Sequence, residues 1–326
     1  MLFLRVQNYD FTGVFPEGDF RVIFMLCFDA KRPQVPDFDK FAPNQLKMPP
    51  KAPQNLSRRS FIRNISLASA VLLTGKVADL SAAEVFELRS KVKLRFVVAS
   101  DSHYGQPNTL FDEMIEKMTG VVNQFHNSSK LDFCVINGDI IHDDKKFLEP
   151  AKQKLDALTM PYYVTRGNHD MVTPEHWQQV WNMPLNHDVT VNNTGIILGD
   201  TSDGKGGYVS PDLQWLESRL EAHKNKKQVL LFLHIPQAKW TKHAIDTPAF
   251  FELIGRYSNI KAVFHGHEHD QDGVKMQGTI PFLFDSHIGG NWGTAYKGFR
   301  VVELLKDGTL ITYMMNPVDK LNELKY

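Results

Sequence analysis

The sequence contains few cysteines, no excess of charge of either sign and no apolar run long enough to cross a bilayer. Its two cysteines, Cys27 and Cys134, are too few for a disulfide scaffold in a chain of 326 residues. Lysine plus arginine number 37, as do aspartate plus glutamate, which argues against nucleic-acid binding by bulk positive charge. The apolar runs at 20–28 and 65–75 are too short for a permanent membrane span. With 42% hydrophobic residues and no internal repeat, the composition indicates a folded soluble protein.

The neutral total conceals a basic segment. Residues 48–83 carry a net charge of +4, residues 84–326 a net charge of −4, and residues 1–47 are neutral. Within the basic segment, the stretch SRRSFIR at 57–63 precedes the apolar run, and small residues follow that run at 81–83. Basic, apolar and small-residue regions in this order are typical of a cleavable secretory signal. The alternative is a basic amphipathic helix on the protein surface.

The paired arginines Arg58 and Arg59, with Phe61 two residues later, resemble the twin-arginine export signal, which is used for proteins exported already folded. The resemblance implies the twin-arginine export machinery as a partner. It also implies a mature protein outside the bacterial cytoplasm, in the periplasm. No cysteine follows the apolar run, so lipid attachment at that point is not expected.

Three segments are therefore expected. Residues 48–83 are interpreted as a twin-arginine signal peptide, and residues 84–326 as one large domain whose mature N-terminus lies near Glu84. Residues 1–47 are either a genuine N-terminal extension or the result of a start assigned too far upstream, with Met48 as the true first residue; we favour the second interpretation. The domain is long enough to bury a sizeable core, and Cys134 is expected to be a single buried thiol within it.

Short β-rich apolar runs alternate with helical patterns in residues 84–326, which predicts an α/β domain. The strands predicted in its first part are 94–99, 133–136, 162–165, 229–233 and 262–264. Helices are predicted where apolar residues recur at helical spacing, at 110–125, 146–158 and 213–220. The last part changes character, and its predicted antiparallel strands are 282–284, 299–304 and 310–314, the last two joined by a turn at 306–308.

Polar side chains able to bind a metal follow five predicted strands at the point where each strand ends. They are Asp101 and His103, then Asp139, then Asn168, His169 and Asp170, then His234, and finally His267 and His269. Open α/β sheets build their sites at strand ends, so these residues are expected to converge. Carboxylate oxygen and imidazole nitrogen without thiolate form a ligand set suited to Mn, Fe, Co or Zn.

The order of these motifs resembles the calcineurin-like metallophosphoesterase family. The motifs are Asp-x-His at 101–103, Gly-Asp at 138–139, Gly-Asn-His-Asp at 167–170, a lone histidine at 234 and Gly-His-x-His at 266–269. The resemblance implies a two-sheet mixed β sandwich flanked by helices, the four-layer α/β/β/α metallophosphoesterase fold, over residues 84–326. It also implies two divalent metal ions as cofactors.

The same resemblance implies a role for each residue. One metal takes Asp101, His103, Asp139 and His269, and the other takes Asp139, Asn168, His234 and His267, with Asp139 bridging. His169 stays unligated and contacts a small phosphoester substrate, while Asp170 orients His169 or supports a ligand. Asn168, His169 and Asp170 are thus the expected catalytic residues. The implied reaction is hydrolysis by in-line attack of a metal-bridging hydroxide.

Three functions fit this interpretation. The stretch 208–215 resembles cyclic-nucleotide phosphodiesterase-like members of the family, which favours phosphodiesters as substrates. A phosphomonoesterase acting on nucleotides or sugar phosphates is the alternative, and a non-catalytic binding module on the same fold is the third. His142 stands where purple acid phosphatases carry an iron-ligating tyrosine, which argues against that branch.

Several other residues near the motifs carry weaker expectations. His265 is expected to pack in the core rather than bind metal. Four further histidines are expected to be solvated, namely His126, His176, His187 and His223. The polar, glycine-rich loop 287–292 either lines the phosphate pocket through backbone N–H groups or forms a turn between hairpin strands.

Overall fold

The structure, a computed structural model, describes residues 65–71 and 77–315. Within these ranges the chain forms thirteen strands and six α-helices. The strands are β1 (Ile65–Val71), β2 (Val77–Leu80), β3 (Val92–Ala99), β4 (Phe133–Asn137), β5 (Tyr162–Thr165), β6 (His187–Val191), β7 (Thr194–Gly199), β8 (Gln228–Leu233), β9 (Ile260–His265), β10 (Val274–Gln277), β11 (Ile280–Phe284), β12 (Phe299–Leu305) and β13 (Leu310–Met315). The helices are α1 (Ala82–Leu88), α2 (Phe111–Ser128), α3 (Leu148–Leu155), α4 (Pro174–Trp181), α5 (Leu213–Ala222) and α6 (Pro248–Ile254).

The strands form two sheets. Seven strands make one sheet in the order β2-β1-β13-β12-β3-β4-β5, and six make the other in the order β10-β11-β9-β8-β7-β6. Each sheet is mixed, because β3, β4 and β5 run parallel in the first, and β7, β8, β9 and β11 run parallel in the second. The remaining neighbouring strands pair antiparallel.

Successive side chains along a strand point to opposite faces of the sheet, so each strand contributes to the hydrophobic cores on both of its sides. In β3, Phe96 and its neighbours two residues away, Leu94 and Val98, belong to the core between the sheets, whereas Val97 and Ala99 belong to the core shared with α2. Phe96 stacks on Phe133 with ring centroids 4.7 Å apart. Each such fully buried phenylalanine contributes about 1.5–3 kcal/mol of transfer free energy. A third core lies between the second sheet and helices α5 and α6. The predicted α/β/β/α architecture is confirmed.

Helix α2 illustrates how the sequence specifies one of these layers. Ile115, Met118, Val122 and Phe125 recur three or four residues apart, and all four are buried in the core that α2 shares with the first sheet. The apolar stripe of an amphipathic helix is expected to face the core in this way. The helix predicted over 110–125 is confirmed, with its end extended to residue 128.

The prediction for the last part of the chain is partly wrong. β12 and β13 form the predicted antiparallel hairpin, but β11 pairs parallel with β9 and antiparallel with β10, in the other sheet. β11 is therefore not a hairpin partner of β12. The chain passes from one sheet to the other between residues 284 and 299, and this crossing lies beside the candidate site described below.

Part of the segment interpreted as a signal peptide is included in the first sheet. β1 pairs antiparallel with β13, and β2 pairs with β1. The twin-arginine stretch and residues 1–47 lie outside the described residues, so their interpretation and the export of the protein stay predictions. Across residues 65–71 and 77–315, the structure contains no helix with both the length and the apolarity needed to cross a bilayer. Cys134 is a buried free thiol, as predicted.

Candidate metal centre

The polar residues that follow five parallel strands meet at one end of the two sheets. Six of them form two groups, and within each group the candidate ligand atoms all lie within 4.8 Å of one another. The first group is Asp101, His103 and His269, and the second is Asp139, His234 and His267. The sequence predicted these two sets of residues as ligands of two different metals.

The first group is almost completely buried. Nε2 of His269 lies 3.1 Å from Oδ1 of Asp101 and 2.9 Å from Nε2 of His103. Asp101 and His103 are 0% exposed and His269 is 3% exposed. One carboxylate oxygen and two imidazole nitrogens are thus directed at the same small volume.

The second group has the same composition. Nε2 of His234 lies 3.2 Å from Oδ2 of Asp139, and Nε2 of His267 is buried without a hydrogen-bond partner. Asn168 precedes a residue that contacts this group, since the backbone N–H of His169 donates to Oδ1 of Asp139 at 2.7 Å. Oδ1 of Asn168 is itself buried and has no hydrogen-bond partner.

Asp139 lies between the two groups. Its Oδ2 is 3.2 Å from Nε2 of His234 in its own group and 3.7 Å from Nε2 of His103 in the other. These distances are compatible with the bridging role of Asp139, which stays a prediction.

The backbone at these positions is unusual. Asp101, His103, Asp139 and His267 all have positive φ angles, between 42° and 69°. Left-handed backbone is uncommon in non-glycine residues, and it clusters at functional sites because the surrounding structure must hold it in place. Here the N–H groups of Asp101 and His103 donate to the carbonyls of Gly138 and Asp139 at 3.0 Å, so two of the motif loops support each other.

The residues present fit a divalent cation. Nδ1 of His269 lies 3.2 Å from the carbonyl oxygen of Trp292, and Nδ1 of His234 lies 2.7 Å from that of Asn137. Donation of each Nδ1–H to its carbonyl leaves a lone pair on Nε2 facing a carboxylate oxygen. Lone pairs facing each other at 3.1–3.2 Å repel unless a proton or a metal cation lies between them, so each pair offers a metal ion two ligand atoms. The buried, unpartnered oxygen of Asn168 is a further ligand of the type that such cations take.

The charge states of the histidines agree with this fit. Burial lowers the pKa of His103 well below its ordinary value and that of His267 to about 4, so both are neutral at pH 7, the form that binds metal. Burial acts in the same direction on His234, but the carboxylate of Asp139 outweighs it and raises the pKa of His234 to about 10. A proton on His234 thus balances Asp139, and a metal that takes its place releases that proton.

The motif glycines allow the loops to approach each other. A Cβ atom on Gly167 would collide with the backbone nitrogen and carboxylate of Asp139. One on Gly266 would collide with the Ser100 hydroxyl and lie 2.8 Å from Oδ2 of Asp101. The glycines that open the third and fifth motifs are therefore required because a ligand carboxylate occupies the space of their missing side chains.

We expect Gly266→Ala to lower metal affinity and turnover at least about tenfold, since loss of support around a metal ligand costs about 10–100-fold. Metal titration followed by calorimetry, together with steady-state kinetics, measures both effects. Gly120→Ala is the matched control, because Gly120 lies in helix α2 and an added Cβ meets nothing within 4 Å. That substitution is expected to leave activity unchanged and to stabilise the protein by about 0.5–1 kcal/mol. Equal activity of the two variants would contradict this explanation of Gly266.

The structure distinguishes between the two roles predicted for Asp170. Its two carboxylate oxygens accept hydrogen bonds from the backbone N–H groups of Ile141 and Gly167, each at 2.8 Å. The carboxylate that contacts the His169 ring is instead Asp143, whose Oδ1 lies 2.7 Å from Nδ1 of His169. Asp170 therefore holds the motif loops together, as the second of its two predicted roles suggested, and Asp143 orients His169.

We expect Asp143→Asn and Asp170→Asn to have different effects. Asp143→Asn weakens the orientation of His169, so kcat is expected to fall about tenfold, a fraction of what a positioned acid–base group contributes, with little change in stability. Asp170→Asn turns an NH₂ group toward a backbone N–H, so the free energy of unfolding is expected to fall by about 1–3 kcal/mol. Kinetics and urea unfolding of both variants test the difference. Loss of activity only in the Asp170 variant would reverse the assignment.

Other histidines of the described residues lie at the site or are buried away from it. His142 joins the site, since its Nδ1 lies 3.0 Å from Nδ1 of His103 and its ring stacks on that of His169 at 5.0 Å. His265 packs in the core as expected, stacked on Phe282. The prediction of solvated histidines is wrong for two residues. His126 is buried with its Nδ1 accepting from the N–H of Leu131, and His223 is buried with its Nε2 2.7 Å from Asp188.

The glycine-rich loop 287–292 is not a hairpin turn, because it belongs to the crossing between the two sheets. The N–H groups of Ile288 and Gly289 donate to the carbonyls of Ser100 and Asp101 at 3.0 Å. These two donors therefore hold the first motif, whereas one of the two alternatives for this loop directs its N–H groups at the phosphate. The carbonyl of Trp292, in turn, faces His269. The sequence pointed to His142, because it stands three residues after Asp139. Nothing in the sequence indicated that Asp143 contacts His169 or that Trp292 contacts His269.

Comparison with known proteins agrees with this site. Residues 94–271 match the family model described as calcineurin-like phosphoesterase. A protein of Arcobacter nitrofigilis named "Probable glycerophosphodiester phosphodiesterase" is 26% identical over 53% of this chain and 71% of its own length. A 3′,5′-cyclic-nucleotide phosphodiesterase of Nostoc sp. is 25% identical over 56% of this chain and 76% of its own length.

A solved structure shows the same fold. A dimetal phosphatase from Danio rerio superposes with a TM-score of 0.58 at 14% identity, covering 70% of this chain and 97% of its own. The matched family region contains all five motifs and both His/Asp groups. The chain therefore belongs to the calcineurin-like phosphoesterase family, and it is a metal-dependent phosphoester hydrolase.

Proposed function

We propose that the protein is an exported phosphodiesterase that uses two divalent metal ions. The observation that carries the proposal is the pair of His/Asp groups that meet at Asp139. One ion would be held by Asp101, His103, His269 and Asp139, and the other by Asp139, His234, His267 and Asn168. When bound, two such ions polarise the phosphate oxygens and lower the pKa of a water molecule that serves as the nucleophile.

The residues of the chain perform the remaining steps. His169 lies beside the first group, its ring centroid 4.8 Å from that of His103, and its side chain is 28% exposed. Asp143 accepts the Nδ1–H of His169. In its imidazolium form His169 would also carry a proton on Nε2, and it would give that proton to the departing ester oxygen and become neutral. Asp170 holds the loop that carries both Asn168 and His169, so the ligand and the proton donor are positioned by one turn.

Two observations support phosphodiesters as the substrates. Both curated relatives described above have names that specify diester cleavage. A diester carries one negative charge, whereas a monoester at neutral pH carries nearly two, so a diesterase does not need a large cluster of cationic side chains beside its metals. Among the described residues, the rings that contact those of the predicted ligands include His169, Tyr208 and Trp292, and none of these three side chains has a permanent positive charge.

Turnover of bis(p-nitrophenyl) phosphate and p-nitrophenyl phosphate by metal-loaded protein tests the proposal. A higher kcat/KM for the diester is expected, together with about two equivalents of metal per chain by elemental analysis. Asn168→Ala and His169→Ala are each expected to abolish activity, the first with loss of metal and the second with metal retained. Metal-loaded protein that is inert on both substrates and on a broad phosphoester panel would contradict the proposal.

Export rests on the basic segment 48–83 and its twin-arginine stretch. N-terminal sequencing or intact mass of the protein recovered from the periplasm is expected to give a mature N-terminus near Glu84. A cut at that position removes β1, β2 and Ser81, whose hydroxyl accepts from the N–H of Glu84 at the start of α1. A mature N-terminus elsewhere would contradict the signal interpretation.

A further inference from the structure

Trp292 is an exposed aromatic residue at the edge of the candidate metal centre. Four large hydrophobic residues among those described are exposed: Leu110, Tyr208, Val209 and Trp292. Two of them have rings in contact with a predicted ligand, Trp292 with His269 and Tyr208 with His267. Single exposed hydrophobic residues are common on protein surfaces, so it is the contact of these two rings with predicted ligands that distinguishes them.

The indole of Trp292 is parallel to the imidazole of His269. The ring centroids are 4.3 Å apart and the planes differ by 6°. Nε2 of His269 points along the plane of its own ring toward Asp101. The indole therefore covers a face of the imidazole and lies beside the first group, without blocking the direction in which Nε2 binds.

Part of the indole is left exposed to a ligand. One face lies on His269, and the rings of His103 and His142 also approach, with centroids 4.8 Å and 6.3 Å away and tilts of 55° and 60°. Trp292 is nevertheless 42% exposed. Because His269 covers one face, the exposed area lies on the edge of the indole and on its other face.

The position of Trp292 is fixed by contacts on both sides of it. Its carbonyl oxygen faces Nδ1 of His269 at 3.2 Å. The neighbouring Asn291 accepts a hydrogen bond from Gln106, which is buried and lies just after the first motif. Two residues further on, the N–H of Thr294 donates to the carbonyl of His269 at 2.9 Å. An aromatic surface held in place in this way loses little conformational entropy when a ligand binds.

We propose that the exposed part of Trp292 binds a planar aromatic ring carried by the ester substituent of the substrate, as a nucleobase or an aryl group presents. This subsite rests on the proposed function, because it assumes that the phosphate is held at the adjacent metal centre. The substrates preferred are then phosphodiesters with such a ring, ahead of diesters of glycerol or simple alcohols. Stacking of one base on an aromatic side chain corresponds to roughly five- to hundredfold in affinity.

Tyr208 is less suited to this role. Its ring meets that of His267 at 79°, edge against face, so it does not present a surface parallel to a ligand imidazole. It also follows the glycine-rich stretch 204–207, where Gly206 has a positive φ angle. The structure thus assigns the ring subsite to the Asp101 side of the centre.

Kinetics with two diesters that share a leaving group test the subsite. Bis(p-nitrophenyl) phosphate and methyl p-nitrophenyl phosphate both release p-nitrophenolate, and only the first has an aromatic second substituent. Their intrinsic reactivities differ, but that difference cancels when the ratio of their kcat/KM values is compared between the wild type and a variant. Trp292→Leu is expected to lower the ratio of kcat/KM for the aryl diester to that for the methyl diester about tenfold, because KM for the aryl diester rises. Trp292→Phe keeps an aromatic ring and is expected to keep most of the wild-type ratio.

Two control variants accompany this test. Leu110→Ala removes a side chain of equal exposure, 42%, that lies before helix α2, and it is expected to leave the ratio unchanged. Tyr208→Leu removes the other exposed ring, and it too is expected to leave the ratio unchanged. An equal fall for both substrates in Trp292→Leu, or a change in the ratio confined to Tyr208→Leu, would overturn the assignment.

Direct binding separates the subsite from the proposed function. Calorimetric titration of metal-loaded protein with adenosine 5′-monophosphate and with ribose 5-phosphate is expected to show about tenfold tighter binding of the nucleotide, lost in Trp292→Leu. If the wild type hydrolyses no phosphoester but binds the nucleotide more tightly, the proposed function is contradicted and the subsite is supported. If the wild type hydrolyses diesters but prefers aromatic rings neither in kinetics nor in calorimetry, only the subsite is contradicted.

Discussion

Asp139→Asn is expected to lower kcat/KM by at least about a thousandfold and to reduce the metal content of the purified protein. The substitution keeps the size of the side chain and removes the negative charge between the two His/Asp groups. Without that charge the proposed centre loses a ligand from each ion, and a loss of about 4 kcal/mol of transition-state stabilisation corresponds to this factor. Elemental analysis and kinetics with bis(p-nitrophenyl) phosphate measure the two effects.

The matched control for Asp139→Asn is Asp188→Asn. Asp188 also accepts a hydrogen bond from a histidine, His223, at 2.7 Å, but it lies on β6, outside both groups. We expect that variant to bind metal and turn over substrate as the wild type does. Retention of metal and activity in Asp139→Asn would show that Asp139 does not connect the groups.

Arg300→Met is expected to be the most destabilising single substitution considered, at about 3–5 kcal/mol. Arg300 is 2% exposed, and its guanidinium donates to four acceptors in the crossing region of the two sheets. They are Oδ1 of Asp285 at 3.0 Å, Oγ1 of Thr312 at 2.8 Å, the carbonyl of Asp272 at 2.6 Å and the carbonyl of Phe284 at 2.5 Å. Methionine fills similar volume but leaves these acceptors, including a buried carboxylate, without their donor. Urea unfolding measures the loss.

The decrease in the free energy of unfolding caused by Arg300→Met is expected to depend on pH. Burial raises the pKa of Asp285 to about 7, against an ordinary value of 3.8, even though Arg300 opposes the shift. Without Arg300 the folded-state pKa rises further, so the folded protein binds a proton that the unfolded chain releases near pH 4. Stability then falls as pH increases from about 4 through the folded-state pKa, and the destabilisation is expected to be larger at pH 8 than at pH 5.5.

Arg256→Met provides the control for the stability measurement. Arg256 pairs with Glu217 at 2.8 Å, but the side chains are 58% and 45% exposed. An exposed ion pair contributes about 0–1 kcal/mol, so this variant is expected to unfold almost as the wild type does. A similar small loss in Arg300→Met would show that the buried pair is not needed for the sheets to assemble.

The elements that the sequence predicted well are those whose signal is local. β5 was predicted with its observed bounds, and α2 follows from apolar residues three and four apart. The elements not predicted have weak local signals. Strand β7 has only three strongly apolar residues between glycines, and strand β6 is only half-buried along most of its length. Helix α4 begins with a capping Thr173 and Pro174, a start signal that its short apolar pattern did not strengthen.

The sequence by itself determined the chemistry of this protein. Five motifs in order predict the ligands, because a ligand of this type is a carboxylate, an amide or an imidazole, and its spacing within a strand end is a local property. Only the tertiary structure decided that Asp143 rather than Asp170 contacts His169. The same is true of the parallel pairing of β11 with β9 and of the indole of Trp292 beside His269, which is 23 residues away in sequence. These contacts arise where strands of two sheets end side by side, and such long-range pairing leaves no periodic signal in the chain.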